Sequence, residues 1–267
     1  MFIDTHCHIN MMVKKEFDAP LTQKNVDLAS SVVQDAHHKH VMKIINIGTS
    51  VPESKNCILL ANTFPSVYAT VALHPNDCTT RWMEDFNILR KMVAQKEKNQ
   101  IVAIGECGLD YHYHDHDKQR QHYAFHAHIE LALEHQLPVV IHTRDAIEET
   151  LKILEQYTPD IRGVVHCFSE DLAIAREIIA WGLYIGIGGA VTYPKNEILQ
   201  TVAREIPLQK ILLETDAPFL PPQQYRGKQN HPKYIPLIGD FIAQLRRISS
   251  EEIAQVTTCQ AEQLFKI

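Results

Sequence analysis

A chain of 267 residues with 45% hydrophobic and 22% charged residues has an ordinary globular composition and can bury a substantial core. Its formal net charge of −6 gives no global basic footprint for nucleic acid, so any polyanion must be held locally. No apolar stretch approaches the roughly 18–20 residues that span a bilayer. The first apolar run begins at Phe2 and leaves no room for a cleavable signal peptide, so a cytoplasmic protein with no membrane partner is expected.

Eight apolar, β-branched runs follow in chain order: 2–8, 42–48, 67–73, 101–106, 138–142, 163–168, 183–188 and 211–216. Helical periodicity fills most gaps between them. Phe125, Ile129, Ala132 and Leu133 recur at helical spacing after the fourth run, and Ile147, Leu151 and Leu154 after the fifth. Leu172, Ala175, Ile178 and Ile179 follow the sixth, with Gly182 placed to end that helix. Ser249 and Glu252 form a capping-box pattern that opens a final helix. Strands alternating with helices imply a parallel sheet covered by helices. Eight such units predict an α/β fold, a (β/α)8 TIM barrel in one domain over 1–267. A doubly wound open sheet competes, but polar groups ending runs 1, 4, 5, 6 and 8 converge readily only if the sheet closes.

Those polar groups are His6, His8, Glu106, His142, His166 and Asp216, each at or near the C-terminal end of a run. A buried group of this kind needs a partner, because leaving it unpaired costs about 1–3 kcal/mol. Several strands ending this way suggest one shared partner, a divalent metal. His6 and His8, two apart in a strand, face the same side. Glu106 points into the same space, and alternation places Glu214 on the side of Asp216. Four imidazoles and two carboxylates exceed the needs of one tetrahedral ion. They fit two divalent ions sharing a carboxylate, the arrangement used for phosphoryl-ester hydrolysis. Imidazole-rich ligation favours Zn, Mn or Fe over Mg.

The remaining titratable and sulfur groups read more plainly. The six cysteines contain no CxxC pair; Cys7, Cys107 and Cys167 neighbour the candidate ligands and are expected as small buried hydrophobes on the helix-facing side. His37, His38 and His40 end a helical stretch and form a solvated face. The loop holding His112, His114, Asp115, His116 and Asp117 reads as a polar cover over the site mouth.

The segments DTHCH, ALHP, GECGLDYH, LPVVIHTRDA, HCFS, ETDAPFL and RGKQNHP occur in the order seen in the TatD family of metal-dependent deoxyribonucleases, which the chain resembles from residue 2 to about 265. The resemblance implies a TIM barrel of the metallo-dependent hydrolase type. It also implies exonucleolytic hydrolysis of DNA phosphodiesters with a divalent metal, Mg, Mn or Zn. Carried over by position, His6, His8, Glu106 and Asp216 hold one ion, and Glu106, His142 and His166 the other. Many hydrolases of the wider superfamily bridge their metals through a modified lysine on strand 4; Glu106 stands there instead. Three positions depart from the family pattern without removing a ligand: Glu170, His128 and Gln260.

Substrate contacts are expected from His74 at the end of the third run, Arg144, and Arg226, Lys228 and Asn230 in the loop after run 8, a customary phosphate-binding region of this fold. Asp4 is expected to be structural. Asp216 and Glu106 carry the catalytic expectation, with Asp216 orienting a water or taking its proton. The predicted substrate is a single-stranded DNA end or short oligonucleotide, with no obligatory protein partner. The alternatives are hydrolysis of a carbonyl ester or amide, such as aminoacyl-tRNA deacylation, and a binding module without activity.

Overall fold

The computed structural model describes residues 1–115 and 117–267. Eight strands run through it: β1 (Phe2–Cys7), β2 (Val41–Asn46), β3 (Val67–Val71), β4 (Ile101–Asp110), β5 (Val139–Arg144), β6 (Gly163–Val165), β7 (Tyr184–Ile187) and β8 (Ile211–Leu213). They form one parallel sheet in sequential order from β1 to β8, which excludes the open doubly wound sheet. The two edge strands then meet. Cys7 bridges to Ala217, the His8 N–H donates to the Ala217 carbonyl at 2.7 Å, and the Asp216 N–H donates to the His6 carbonyl at 2.8 Å. Side chains complete the seam: the buried Asp4 carboxylate accepts the Thr215 N–H and hydroxyl at 3.0 and 2.6 Å. Asp4 is therefore structural, and it closes the barrel beside two candidate ligands.

The helices lie where apolar periodicity placed them. Lys118–Glu134 covers β4, Ile147–Glu155 follows β5, and Leu172–Ala180 follows β6 with Gly182 (φ 89°) just beyond its end. The Ser249 hydroxyl accepts the Glu252 N–H and opens the helix Ser250–Phe265. Two apolar clusters result. The larger packs helices against the outside of the sheet. The smaller joins Ile3, Ile45, Val102, Val140, Val164 and Leu212 from six strands to Leu264 and Phe265 of the final helix. Side chains from six strands of one sheet meet only inside a closed barrel, so this cluster fills the interior and the final helix plugs one end. Among the described residues, no helix is long and apolar enough to cross a membrane.

Candidate metal centre

The end of the barrel away from that plug carries the chemistry. His6 lies in β1 and His8 just beyond it; Glu106 lies within β4; His142 lies in β5; His166 directly follows β6; Asp216 lies three residues beyond β8. The two shortest strands, β6 and β8, end before their candidate ligands because the chain turns there. Cys167 (φ 47°) and Asp216 (φ 55°) both sit in the left-handed region, a strained conformation of the kind that clusters at functional sites. On β4 close approach matters: a Cβ at Gly108 (φ 148°) would stand 2.0 Å from the His142 carbonyl oxygen. Only glycine lets β4 and β5 pair at that level.

All six candidate ligands converge. Glu106 occupies the centre, with its two oxygens facing different partners. Oε1 lies 2.8 Å from His142 Nδ1 and 2.7 Å from His166 Nε2. Oε2 lies 3.4 Å from His6 Nε2 and 3.8 Å from His8 Nε2. Asp216 Oδ1 approaches the same two rings, at 3.6 and 3.3 Å. The His6 and His166 rings stack with centroids 3.9 Å apart.

Electrostatics follow from this crowding. Burial opposes ionisation of Glu106, yet His166, His142 and His6 hold its carboxyl well below the usual range. Asp216 is likewise held low against burial by its contact with His8. Burial also opposes a charge on His166, but Glu106 outweighs it and pushes the ring up to about 9. His6 is pushed down to about 4 by burial and by His166. The rim thus favours positive charge, though not on every ring.

These residues fit a divalent cation. His6 Nε2 and His8 Nε2 stand 3.2 Å apart, with the Asp216 oxygen against both, so three donors aim at one point. A single proton satisfies one pair of such atoms; a divalent cation satisfies both nitrogens and the carboxylate together.

The residues expected to meet substrate divide. His74 stands at the rim: its Nδ1 accepts the Asn76 N–H at 3.1 Å, which leaves the ring proton on Nε2, 3.6 Å from Glu106 Oε1. Burial and the neighbouring His142 push His74 down to about 3, so the ring is neutral. Arg144 is exposed at the end of β5, near the Tyr113 ring; Asp145 pairs with His112 at 3.0 Å. Arg226 lies 4.7 Å over the Tyr193 ring and Lys228 is 5.9 Å from the Tyr225 ring; among the described residues neither pairs with a carboxylate.

Asn230, expected at the mouth, lies instead inside the loop after β8. It is fully buried, its amide donates to the Thr215 and Phe219 carbonyls, and its oxygen accepts the His231 N–H. With its side-chain polar atoms committed to the loop backbone, it shapes the β8 loop. Cys167 also differs: the turn after His166 leaves it half-buried, lining a cavity of about 220 Å³ with Asp216 and Asn196. Cys7 and Cys107 are buried in the helix-facing cluster as expected. Of the histidine-rich loop, His116 lies outside the described residues.

Two carboxylates at the rim were not assigned a role from sequence. Asp110, the last residue of β4, lies 3.3 Å from His142 Nε2. Glu214 lies below His166, and burial pushes its carboxyl up to about 7. Asp110 lay past the point where the fourth apolar run seemed to end. His128 is structural: its Nε2 accepts the Leu73 N–H at 3.0 Å, fixing the chain just before His74.

Comparison with known proteins agrees with this architecture. The chain matches the TatD related DNase family over residues 3–266. It is 35% identical over 268 residues to the uncharacterized metal-dependent hydrolase YabD of Bacillus subtilis, covering 100% of both chains. It is 36% identical over 242 residues to the 3'-5' ssDNA/RNA exonuclease TatD of Citrobacter rodentium, covering 88% of this chain and 91% of that one. The crystal structure of YJJV, a TatD homolog from Escherichia coli K12, superposes with a TM-score of 0.89 at 30% identity, covering 100% of this chain and 98% of that one. The chain belongs to the TatD family of metal-dependent hydrolases.

Proposed function

We propose that this protein is a nuclease that hydrolyses phosphodiester bonds at the ends of DNA strands or short oligonucleotides, using two divalent cations. The observation that carries the reading is the division of Glu106: one oxygen faces His142 and His166, the other faces His6 and His8. A carboxylate so placed would help to hold two cations, one with His6, His8 and Asp216 and the other with His142 and His166. Bound cations supply a water of lowered pKa and charge to offset that developing on the phosphate.

The chain's own residues do the rest. Asp216 faces the mouth beside the cavity lined by Ser169 and Asn196, placed to orient the attacking water and receive its proton. The His74 Nε2–H is a neutral donor at the rim, suited to a phosphate oxygen that must not be repelled or protonated. Arg226 offers a planar fork for phosphate, and Lys228 and Arg144 add mobile positive charge around it. These few cations on a chain of net charge −6 suit a strand end better than a long duplex.

The test is hydrolysis of single-stranded DNA labelled at either terminus, by the wild type and by Glu106→Ala and Asp216→Ala. The expected result is stepwise loss of nucleotides from one end by the wild type and none by folded variants. Turnover of aminoacyl or other carbonyl esters without nuclease action would overturn the assignment.

A further inference from the structure

The two sides of Glu106 are unequally supplied. Its Oε2 side gathers His6, His8 and Asp216, so a cation there has four protein donors including two carboxylates. Its Oε1 side gathers His142 and His166 as donors around the same shared carboxylate; the nearby His74 Nε2, 3.6 Å from Oε1, carries its ring proton and offers no lone pair. Three donors with one shared charge make the poorer site for a divalent ion.

What lies behind the rings reverses this imbalance. His142 turns Nδ1 to Glu106 and Nε2 toward Asp110 Oδ2, 3.3 Å away. His166 turns Nε2 to Glu106 and Nδ1 toward Glu214 Oε1, 3.8 Å away, an ion-pair distance that leaves Nδ1 without a hydrogen bond among the described residues. Each imidazole on the poorer side therefore has a carboxylate behind it. On the richer side, His8 Nδ1 meets only the Ile47 carbonyl at 3.3 Å, and His6 Nδ1 is buried without a hydrogen-bond partner among the described residues.

Neither outer carboxylate is placed by accident. Asp110 is 1% exposed; its Oδ1 accepts the His112 N–H at 2.9 Å and its Oδ2 the Asn76 amide at 3.0 Å. Gln121 clamps the Asp110 backbone from both sides, accepting its N–H and donating to its carbonyl at 3.0 Å each. Glu214 is 0% exposed and accepts the Cys167 N–H. A Cβ at Gly186 would stand 2.2 Å from Glu214 Oε2, so the neighbouring strand makes room for it with a glycine. That Oε2 has no hydrogen-bond partner among the described residues, although it is buried.

We infer that Asp110 and Glu214 are positioning residues that give the His142–His166 side its affinity for a cation. In this reading they act through the imidazoles, even though Asp110 lies in a third donor group with His74 and His142. A carboxylate behind an imidazole N–H fixes the ring's orientation and strengthens the opposite nitrogen as a donor. Removing that support empties one side and leaves the other intact, so the protein passes from two bound cations to one. The inference rests on the two-cation reading above.

The experiment strips the full chain with a chelator and titrates Mn²⁺ into the wild type, Asp110→Asn and Glu214→Gln, reading stoichiometry and affinity by calorimetry, with circular dichroism to check folding. The wild type is expected to take up two equivalents. Each variant is expected to keep one at wild-type affinity and to bind the second about 10–100-fold more weakly. Two equivalents at unchanged affinity in the variants, or equal weakening of both in a folded variant, would overturn the inference. A wild type that binds a single equivalent would instead overturn the two-cation reading, and this inference with it. Should Glu214→Gln fail to fold, Asp110→Asn decides alone.

Discussion

The two ends of this barrel are made from the same strands and filled with opposite chemistry. At one end Ile3, Val102, Val140, Val164 and Leu212 meet the final helix through Leu264 and Phe265. At the other, the same strands or their extensions deliver imidazoles and carboxylates to adjoining groups of donors. Buried hydrocarbon stabilises at about 25 cal/mol per Å² removed from water. Buried charge costs several kcal/mol per ion before pairing repays it. The plugged end stabilises the fold, so that the open end can hold a costly cluster.

Substitutions at the two ends should therefore separate activity from stability. The largest effect is expected from Glu106→Ala, which removes the acid common to both donor sets. Hydrolysis should fall by about 10³-fold or more, equivalent to several kcal/mol of barrier, with the melting temperature little changed. Single-turnover assays beside thermal melts check this. Phe265→Ala should do the reverse, costing about 3–5 kcal/mol of stability while leaving cation uptake intact below the melting transition. A plug variant that lost cations before it lost structure would show that the two ends are not independent.

Between these extremes lies a buried ion pair beneath the rim. Glu53 is buried and accepts from Lys14 at 2.5 Å, Asn10 at 2.7 Å and the Asp18 N–H at 2.7 Å, tying down the segment after His8. Glu53→Gln should destabilise the fold by about 3–5 kcal/mol, because Lys14 keeps its buried charge without a counterion. Burial would raise the Glu53 carboxyl, but Lys14, Asn10 and Asn56 outweigh it and hold the group below its ordinary 4.5. Its contribution is therefore present above pH 4.5 and lost as the pH falls through the lower folded value. Denaturant melts from pH 3 to 7 should show a steep acid limb in the wild type and a flatter one in Glu53→Gln.

The smallest expected effect belongs to the surface of the open end. Arg226→Gln and Lys228→Gln should each weaken oligonucleotide binding a few-fold. Each should reduce the slope of log affinity against log salt by about 1, if its cation meets a phosphate. Fluorescence anisotropy at several salt concentrations measures this, and an unchanged slope removes that residue from the substrate path.

Much of the open end was legible in the sequence because its side chains interrupt apolar runs. Strand order and barrel closure followed from the same residues: polar groups on five separate runs share a partner readily only when the sheet closes. What escaped has physical causes. Asp110 was hidden because β4 continues past two glycines, so a ten-residue strand looked like a six-residue one. Glu214 was placed on the side of Asp216, but its position behind His166 depends on Gly186 of a different strand. Asn230 sits in a polar, basic segment and suggested a mouth residue. Two backbone carbonyls across the β8 loop, invisible to any local pattern, claim its amide. Cys167 breaks strand alternation because the chain turns into a left-handed conformation directly after His166.

Stepwise restoration of cations to chelator-stripped protein, followed on end-labelled single-stranded DNA, separates a two-cation enzyme from a one-cation or cation-free one. Cleavage from one terminus should be absent in the stripped protein, remain low after the first equivalent of Mn²⁺ and rise with the second. Cleavage that survives stripping, or that is complete with one equivalent, would contradict it.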